Sequence, residues 1–360
     1  MHVLLDATAV QPPLTGVQRA VRNEVLAILR SPHRPDGLLL TTDDVLLHAA
    51  READFPCLAP EIGRSRLRRI LWQQLRLPEL IRRQTPDALH AFAYTAPRRC
   101  TVPLFLNVHD LIPFERPDLC GLRNRLHMRW LMPPAIRRAA RLIVSSTPVA
   151  ESLATRFGVP RDRITVAPLG VDAGRFASPA PRPARAPGEP YLLFVGNLEP
   201  KKGVEILLDA WQAVRNDTGL KLVICGRAAW KSGDLQRELH DLKPDPDFLW
   251  YRDVGDAELP GLYQHAWATV LPSRIEGFGL PVLESMAAGT PVIHSDHPVL
   301  METAGGCGFP FRSGDNKSLA DVIRQLDTLP QTERDAVVQN GRRRAETRTW
   351  DAWAATVYPH

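Results

Sequence analysis

The sequence lacks any stretch approaching the roughly 18 uncharged apolar residues that a helix needs to cross a bilayer, so no membrane span is expected. Cysteine is scarce: Cys57, Cys100, Cys120, Cys225 and Cys307 are odd in number and scattered, with no C-x-x-C pair. That excludes a zinc finger and a disulfide framework, and no other metal-ligand cluster is expected. The start, Met1-His2-Val3-Leu4-Leu5-Asp6, has neither the basic region nor the long apolar run of a secretion signal. It predicts the first strand of a cytoplasmic protein. Signatures of RRM domains and basic leucine zippers are also missing, so the net charge of +5 and pI near 9.1 are not assigned to nucleic acid. The same excess suits nucleotide phosphates or an anionic membrane surface.

What is present is a globular composition, 44% hydrophobic and 24% charged, in a chain of 360 residues long enough for two cores. Two segments share a grammar of strand, glycine-bearing loop and helix. The first is a strand at 2–5, a loop at 7–16 and a helix over 17–29. The second is a strand at 191–195, a loop at 196–203 and a helix over 204–214. Each opens a doubly wound domain. Short apolar runs at 38–40, 88–92, 103–108, 142–145 and 164–166, then at 221–225, 248–251, 268–271 and 291–294, predict further parallel strands with helices between them. The stretch 178–190, SPAPRPARAPGEP, cannot sustain helix or sheet pairing and is the expected linker. The expected domains are therefore 1–177 and 191–345, with 346–360 returning to the first. The tail TWDAWAATVY carries two tryptophans that need a surface to pack on.

The most informative run is 272–293, PSRIEGFGLPVLESMAAGTPVI. A strand ends near Leu271, and Glu276-Gly277-Phe278-Gly279 makes a tight turn. Pro281 suits the first turn of a helix, and Gly289 ends it. Glycine amides and a helix N-terminus attract an anion, naturally a diphosphate. Glu276 on the turn and Glu284 one turn into the helix are placed to accept hydrogen bonds from the vicinal diols of ribose and hexose. A second run, FVGNLEPKKG at 194–203, ends in Lys201 and Lys202, whose ammonium groups can neutralise a departing diphosphate. It does not fit the P-loop pattern, and GFGLPV lacks the third glycine of a dinucleotide fingerprint. Asp245-Pro246-Asp247 has D-x-D spacing but precedes a strand in a proline-bearing loop, so it reads as a turn.

The spacing from Glu276 to Glu284, with GFGLPVLE followed by A-x-G-T-P-V-I, resembles the retaining family 4 glycosyltransferases, and FVGNLEPKKG resembles a variant of the family's glycine–lysine loop. The resemblance implies a GT-B fold: two Rossmann-like α/β domains facing a cleft, with a C-terminal helix crossing back to the first. It makes Glu276 the sugar-side residue and Glu284 the ribose-side residue. Gly277, Phe278, Gly279 and Leu280 line sugar and phosphate, and Lys202 lies at the diphosphate. Asn197 stands where the family usually has arginine, so Lys201 is expected to replace that charge beside Gly196. APLGVD at 167–172 and VICGR at 223–227 resemble further family segments, the latter turning Arg227 toward the donor. Gly16 is expected where backbone approaches diphosphate and acceptor.

In LFLNVHDLIP at 104–113, His109 follows a strand whose carboxyl end faces a ligand crevice. The resemblance makes it a contact of the donor sugar, where a neutral imidazole donates to a hydroxyl; the alternative is a core histidine bonded to backbone. Asp110 either orients it or caps the next segment. Thr147 occupies another strand end and is a candidate acceptor contact, or an ordinary helix start. The arginine-rich run 64–83 reads in two ways: an amphipathic helix packed on its own sheet, or one lying on an anionic membrane at the inner face of the plasma membrane.

The expected activity is transfer of a hexose from a nucleotide sugar, GDP-mannose first among donors, to a glycan or lipid-linked acceptor of surface-polysaccharide assembly. Configuration is retained, the two domains close over the substrates, and neither metal nor cofactor beyond the co-substrate is needed. A nucleotide-sugar 2-epimerase, a phosphorylase and a non-catalytic sugar-nucleotide sensor are the alternatives on this fold.

Overall fold

The computed structural model describes residues 1–12, 14–63, 65–229 and 233–359. The chain divides into two compact units, Met1–Gly170 with Trp350–His360, and Val171–Thr349.

In the first unit β1 (His2–Asp6), β2 (Asp36–Leu40), β3 (Cys57–Leu58), β4 (Ala88–Ala91), β5 (Leu104–Val108), β6 (Arg141–Val144) and β7 (Ile164–Val166) form a parallel sheet in the order β3-β2-β1-β4-β5-β6-β7. Val3, Leu4, Leu5, Leu89, Leu106 and Leu142 are fully buried, as expected of strands covered on both faces. The chain runs from β1 outward to β3, then returns to the other side of β1 with β4. The order therefore reverses between β1 and β4, and a crevice opens at their carboxyl ends.

The second unit repeats this plan with β8 (Tyr191–Val195), β9 (Lys221–Cys225), β10 (Phe248–Tyr251), β11 (Ala268–Leu271), β12 (Val292–Ser295) and β13 (Phe309–Phe311), ordered β10-β9-β8-β11-β12-β13 and all parallel. Its reversal falls between β8 and β11. The strands follow the sequence reading closely; β3 and β13, two and three residues long at sheet edges, were not anticipated.

Two boundaries differ from expectation. The first unit ends at Gly170, before 177, and the proline-rich stretch 178–190 belongs to the second unit rather than standing as a linker. Hydrogen bonds hold it there. Gln264 Oε1 accepts from Ala180 N at 2.9 Å, the Tyr251 hydroxyl donates to the Arg185 carbonyl, and Arg185 pairs with Glu258. The return to the first unit comes at Trp350 rather than 346. The terminal helix Trp350–Val357 buries Trp350 and Trp353 against the helix Gly16–Arg30.

Candidate active site

The reversal point of the second sheet brings the two glycine loops together. The loop after β8 passes through Gly196 and Asn197 into a short turn, Pro200–Lys202, that ends on Gly203. Gly203 has φ +62, and a Cβ there would stand 2.3 Å from the Pro272 carbonyl oxygen, so only glycine lets the loops approach this closely. Arg274 N donates to the Lys201 carbonyl at 2.8 Å, stitching the loops a second time.

Across this seam Lys202 Nζ pairs with Glu276 Oε1, which also accepts from Ser273 Oγ at 2.7 Å. Glu276 is only 9% exposed. Burial pushes its carboxyl up, but the Lys202 and Lys201 ammoniums, with the hydrogen bonds from Lys202 and Ser273, outweigh this and hold it below the usual carboxylate range. Glu276 is thus a fixed anion beside a fixed cation. Gly279, at φ +93, then caps the helix Leu280–Ala288, with Pro281 in its first turn. Thr303 Oγ1 donates to the Phe278 carbonyl at 2.7 Å and pins the loop, while Phe278 itself is buried. The half-buried Glu284 lies one turn into the helix, where the buried Tyr263 hydroxyl donates to its Oε2 at 2.7 Å. Gly196, Asn197, Lys201, Lys202, Gly277, Phe278, Gly279, Leu280 and Glu284 all lie on the two segments that follow β8 and β11.

Two expected donor contacts have other partners. Arg227, past β9, is exposed and pairs with Asp253, Nε to Oδ1 at 2.7 Å; its carbonyl accepts from Leu198 N at 2.9 Å and supports the first loop. Lys201 Nζ lies 3.3 Å from Glu199 Oε2. Asp245 pairs with Arg215 and accepts from Asp247 N at 2.9 Å, a turn as expected.

In the first unit His109 is 6% exposed, and its Nε2 donates to the Phe92 carbonyl at 2.9 Å. The imidazole expected to donate to a sugar hydroxyl is therefore turned onto the backbone, the alternative reading of this residue. Burial keeps it neutral by lowering its pKa, against the raising influence of Phe92 and Asp110. Its Nδ1 lies 3.9 Å from Glu24 Oε1, beyond direct hydrogen-bond reach. Asp110 caps the next segment through Ile112 N at 3.1 Å and accepts from the Tyr94 hydroxyl at 2.6 Å. Thr147 is exposed at the start of the helix Thr147–Phe157, after β6. Gly16 begins its helix with no protein atom within 4 Å of where a Cβ would stand, so no protein contact requires glycine there.

Beneath His109 runs a buried chain of hydrogen bonds absent from the sequence reading. The Tyr358 hydroxyl donates to His90 Nδ1 at 2.8 Å, His90 Nε2 donates to Asn107 Oδ1 at 2.8 Å, and Asn107 Nδ2 donates to Glu24 Oε2 at 2.9 Å. Burial pushes the Glu24 carboxyl up to about 8, against the hydrogen bond from Asn107, and lowers His90 to about 4. At neutral pH every member is uncharged. The signal was legible: Glu24 sits on the apolar face with Val21, Val25 and Ile28, and Asn107 and His90 interrupt apolar strands, where a polar group needs a partner.

Two family models match this chain, Glycosyltransferase Family 4 over residues 14–175 and Glycosyl transferases group 1 over residues 180–344. The O-antigen chain mannosyltransferase RfbU of Salmonella typhimurium is 31% identical over 234 residues, 64% of either chain. The O-antigen chain mannosyltransferase B of Escherichia coli is 29% identical over 253 residues, 68% of this chain and 66% of that one. The aligned region thus spans less than two thirds of each relative's length. Among solved structures, Anabaena HepE in complex with UDP-glucose superposes with a TM-score of 0.72 at 18% identity over 99% of both chains. WaaG, a glycosyltransferase involved in lipopolysaccharide biosynthesis, gives 0.72 at 16% identity over 99% of this chain and 98% of its own. At such identities these likenesses speak for the GT-B fold alone. Each half of the chain thus matches a glycosyltransferase family model, the first that of Glycosyltransferase Family 4, and together the two span nearly the whole chain on a GT-B fold.

Proposed function

We infer that this chain is a retaining glycosyltransferase that moves a hexose from a nucleotide sugar to a glycan or lipid-linked acceptor in surface-polysaccharide assembly, with GDP-mannose as the first donor to test. The observation that carries this reading is the Lys202–Glu276 pair at the reversal point of the second sheet, beside the Gly279-capped helix. A diphosphate on that helix end lies within the field of Lys202 and Lys201, and the adjoining carboxylate of Glu276 accepts from hydroxyls of the attached hexose. Glu284, oriented by Tyr263, accepts from the ribose diol. The acceptor hydroxyl attacks the anomeric carbon from the face the diphosphate leaves. The new C–O bond forms as the sugar–phosphate bond breaks, and the departing phosphate takes the hydroxyl proton. The two ammoniums carry the leaving-group charge, so the reading needs no resident metal. The first unit supplies acceptor contacts at Asp110 and Thr147, and His109 serves through its placement rather than through a proton donated from Nε2. Mannose leads because the relatives above are named mannosyltransferases; UDP-glucose stays in the panel because HepE is seen with it.

The test is nucleotide release from a panel of GDP-, UDP- and dTDP-sugars with glycan acceptors. One donor is expected to turn over in an acceptor-dependent way, insensitive to EDTA, with the anomeric configuration kept in the product. Lys202→Ala and Glu284→Ala should each lower turnover at least tenfold; Glu284→Ala should keep a melting temperature near wild type, whereas Lys202→Ala should also lower it, because Glu276 loses its buried cation. Wild-type rates in both variants would refute the site. Conversion of donor without acceptor would mark an epimerase, dependence on free phosphate a phosphorylase, and binding without turnover a sensor.

A further inference from the structure

Of the ten large apolar side chains exposed among the described residues, six lie on two helices of the first unit. On the helix Arg66–Leu75 they are Leu67, Leu71 and Leu75; on the helix Leu122–Arg138 they are Leu122, Leu126 and Trp130. Both sets are spaced four residues apart, so each forms one stripe along its helix. The sequence left open whether the leucines of 64–83 pack on the sheet. Arg64 lies outside the described residues; of the leucines that follow, Leu67, Leu71 and Leu75 stand in solvent, at 64%, 49% and 68% exposure, while Gln73 on the same helix, and Leu77 and Ile81 on the next (Leu77–Gln84), are buried.

The helices are neighbours. Arg66 donates to Asn124 Oδ1 at 2.5 Å, near the start of each. Further along, Gln74 Oε1 accepts from Arg98 N at 2.9 Å, and the Arg98 guanidinium lies 4.9 Å over the Trp130 ring. Between them the two helices carry eight arginines and not one carboxylate. Apolar side chains held in water on helices that carry exposed arginines and no carboxylate of their own are the opposite of what a solvent-facing helix needs.

We propose that this two-helix surface docks the protein on an anionic lipid bilayer, the leucines and Trp130 entering the headgroup–acyl boundary and the arginines pairing with lipid phosphates. Charge complementarity selects this occupant, and the leucine stripes distinguish it from nucleic acid, which offers phosphates but no apolar layer. The proposal deepens the reading of a lipid-linked acceptor and rests on it for its purpose, yet its measurement needs no donor and no turnover.

The full chain is sedimented with vesicles of phosphatidylcholine alone or with about one third phosphatidylglycerol. Pelleting is expected with the anionic vesicles only, and is expected to weaken at 0.5 M salt (about a 4–5 Å Debye length). Leu71→Glu/Leu126→Glu and Arg68→Glu/Arg123→Glu should each reduce bound protein at least fivefold, with donor turnover on a water-soluble acceptor and the melting temperature unchanged. Equal binding to neutral vesicles, no binding to either, or double variants that pellet like wild type would overturn the proposal. So would light scattering showing that the leucine variant dissolves a dimer while wild type ignores vesicles. A chain that binds vesicles but turns over no nucleotide sugar would leave the docking surface standing and remove the enzymatic reading.

Discussion

The two units share one topology, yet they hold buried ionisable groups in opposite ways. In the second unit the loops past β8 and β11 meet in a charged pair, Lys202 with Glu276, whose carboxyl is held below its usual range. In the first unit the groups beneath the corresponding crevice are held neutral: Glu24 raised to about 8, His90 lowered to about 4, His109 lowered as well. A parallel sheet that reverses its strand order supplies a crevice; the residues on the strand ends decide whether it binds charge or excludes it.

The largest expected effect comes from the glycines at the two loops. Gly203→Ala puts a Cβ against the Pro272 carbonyl at φ +62, so the two donor loops must part. Strain and displacement together are expected to cost at least about 3 kcal/mol and to remove most turnover. Gly16→Ala meets no protein atom and no positive φ, so its stability should stay within about 0.5 kcal/mol of wild type or improve. Urea unfolding of both variants decides. Equal stabilities would mean that the Gly203 contact does not constrain the loops; an active-site defect in a fully stable Gly16→Ala would mark that glycine as a point of ligand approach.

The next effect separates the units by pH. Below about pH 4.5 the Glu24 carboxyl holds its proton whether the chain is folded or not. Between there and about 8 only the folded chain holds it, so folding takes up a proton and stability falls as pH rises through this window. His90 works in the other direction. Unfolded, it protonates near 6.5; folded, only near 4, so it makes stability rise with pH across that lower range. From 6.5 to 8 Glu24 acts without His90, and one proton over that span is worth roughly 2 kcal/mol. Glu24→Gln keeps the shape and the Asn107 hydrogen bond but cannot titrate. Melting curves at pH 6.5 and 8 should show a clear fall for wild type and a smaller one for the variant; identical slopes would mean that Glu24 is ionised in the folded chain.

How much of this was visible in the sequence follows from the kind of interaction involved. Buried parallel strands must be apolar on both faces, so runs such as Tyr191–Val195 and Lys221–Cys225 were readable to the residue. β13 was not, because Phe309-Pro310-Phe311 carries a proline that only an edge strand tolerates. The loops past β8 and β11 were readable because glycine, proline and charged residues fall in a fixed order along each of them. Their supports, Ser273 and Tyr263, were missed, since Tyr263 reaches Glu284 from 21 positions away. The linker was misjudged for the same reason. Proline excludes regular pairing, but nothing local shows that Arg185 and Ala180 find partners on Glu258 and Gln264. The inward turn of His109 depended on the Phe92 carbonyl, a backbone group with no sequence signature.

The smallest effect compares two buried tyrosines, one in each unit. Tyr358 donates to the neutral His90 at one end of the hydrogen-bonded chain, beside Val357, whose carbonyl accepts from Arg141 Nη1 at 2.7 Å. Tyr358→Phe leaves a buried imidazole nitrogen without its donor, at a cost of about 1–2 kcal/mol, and loosens the terminal helix. Tyr263 donates to Glu284, a half-buried carboxylate that water can reach, so Tyr263→Phe should cost stability less and instead raise the KM for the nucleotide sugar by a few-fold. Urea midpoints, amide exchange over Trp350–Val357 and donor KM separate the two outcomes. If Tyr358→Phe raised donor KM without lowering stability, the neutral chain of the first unit would belong to ligand binding rather than to anchoring the C-terminal helix. If Tyr263→Phe lowered stability with KM unchanged, Glu284 would be a structural carboxylate, and the contrast between a charged donor crevice and a neutral partner would lose its ribose-side member.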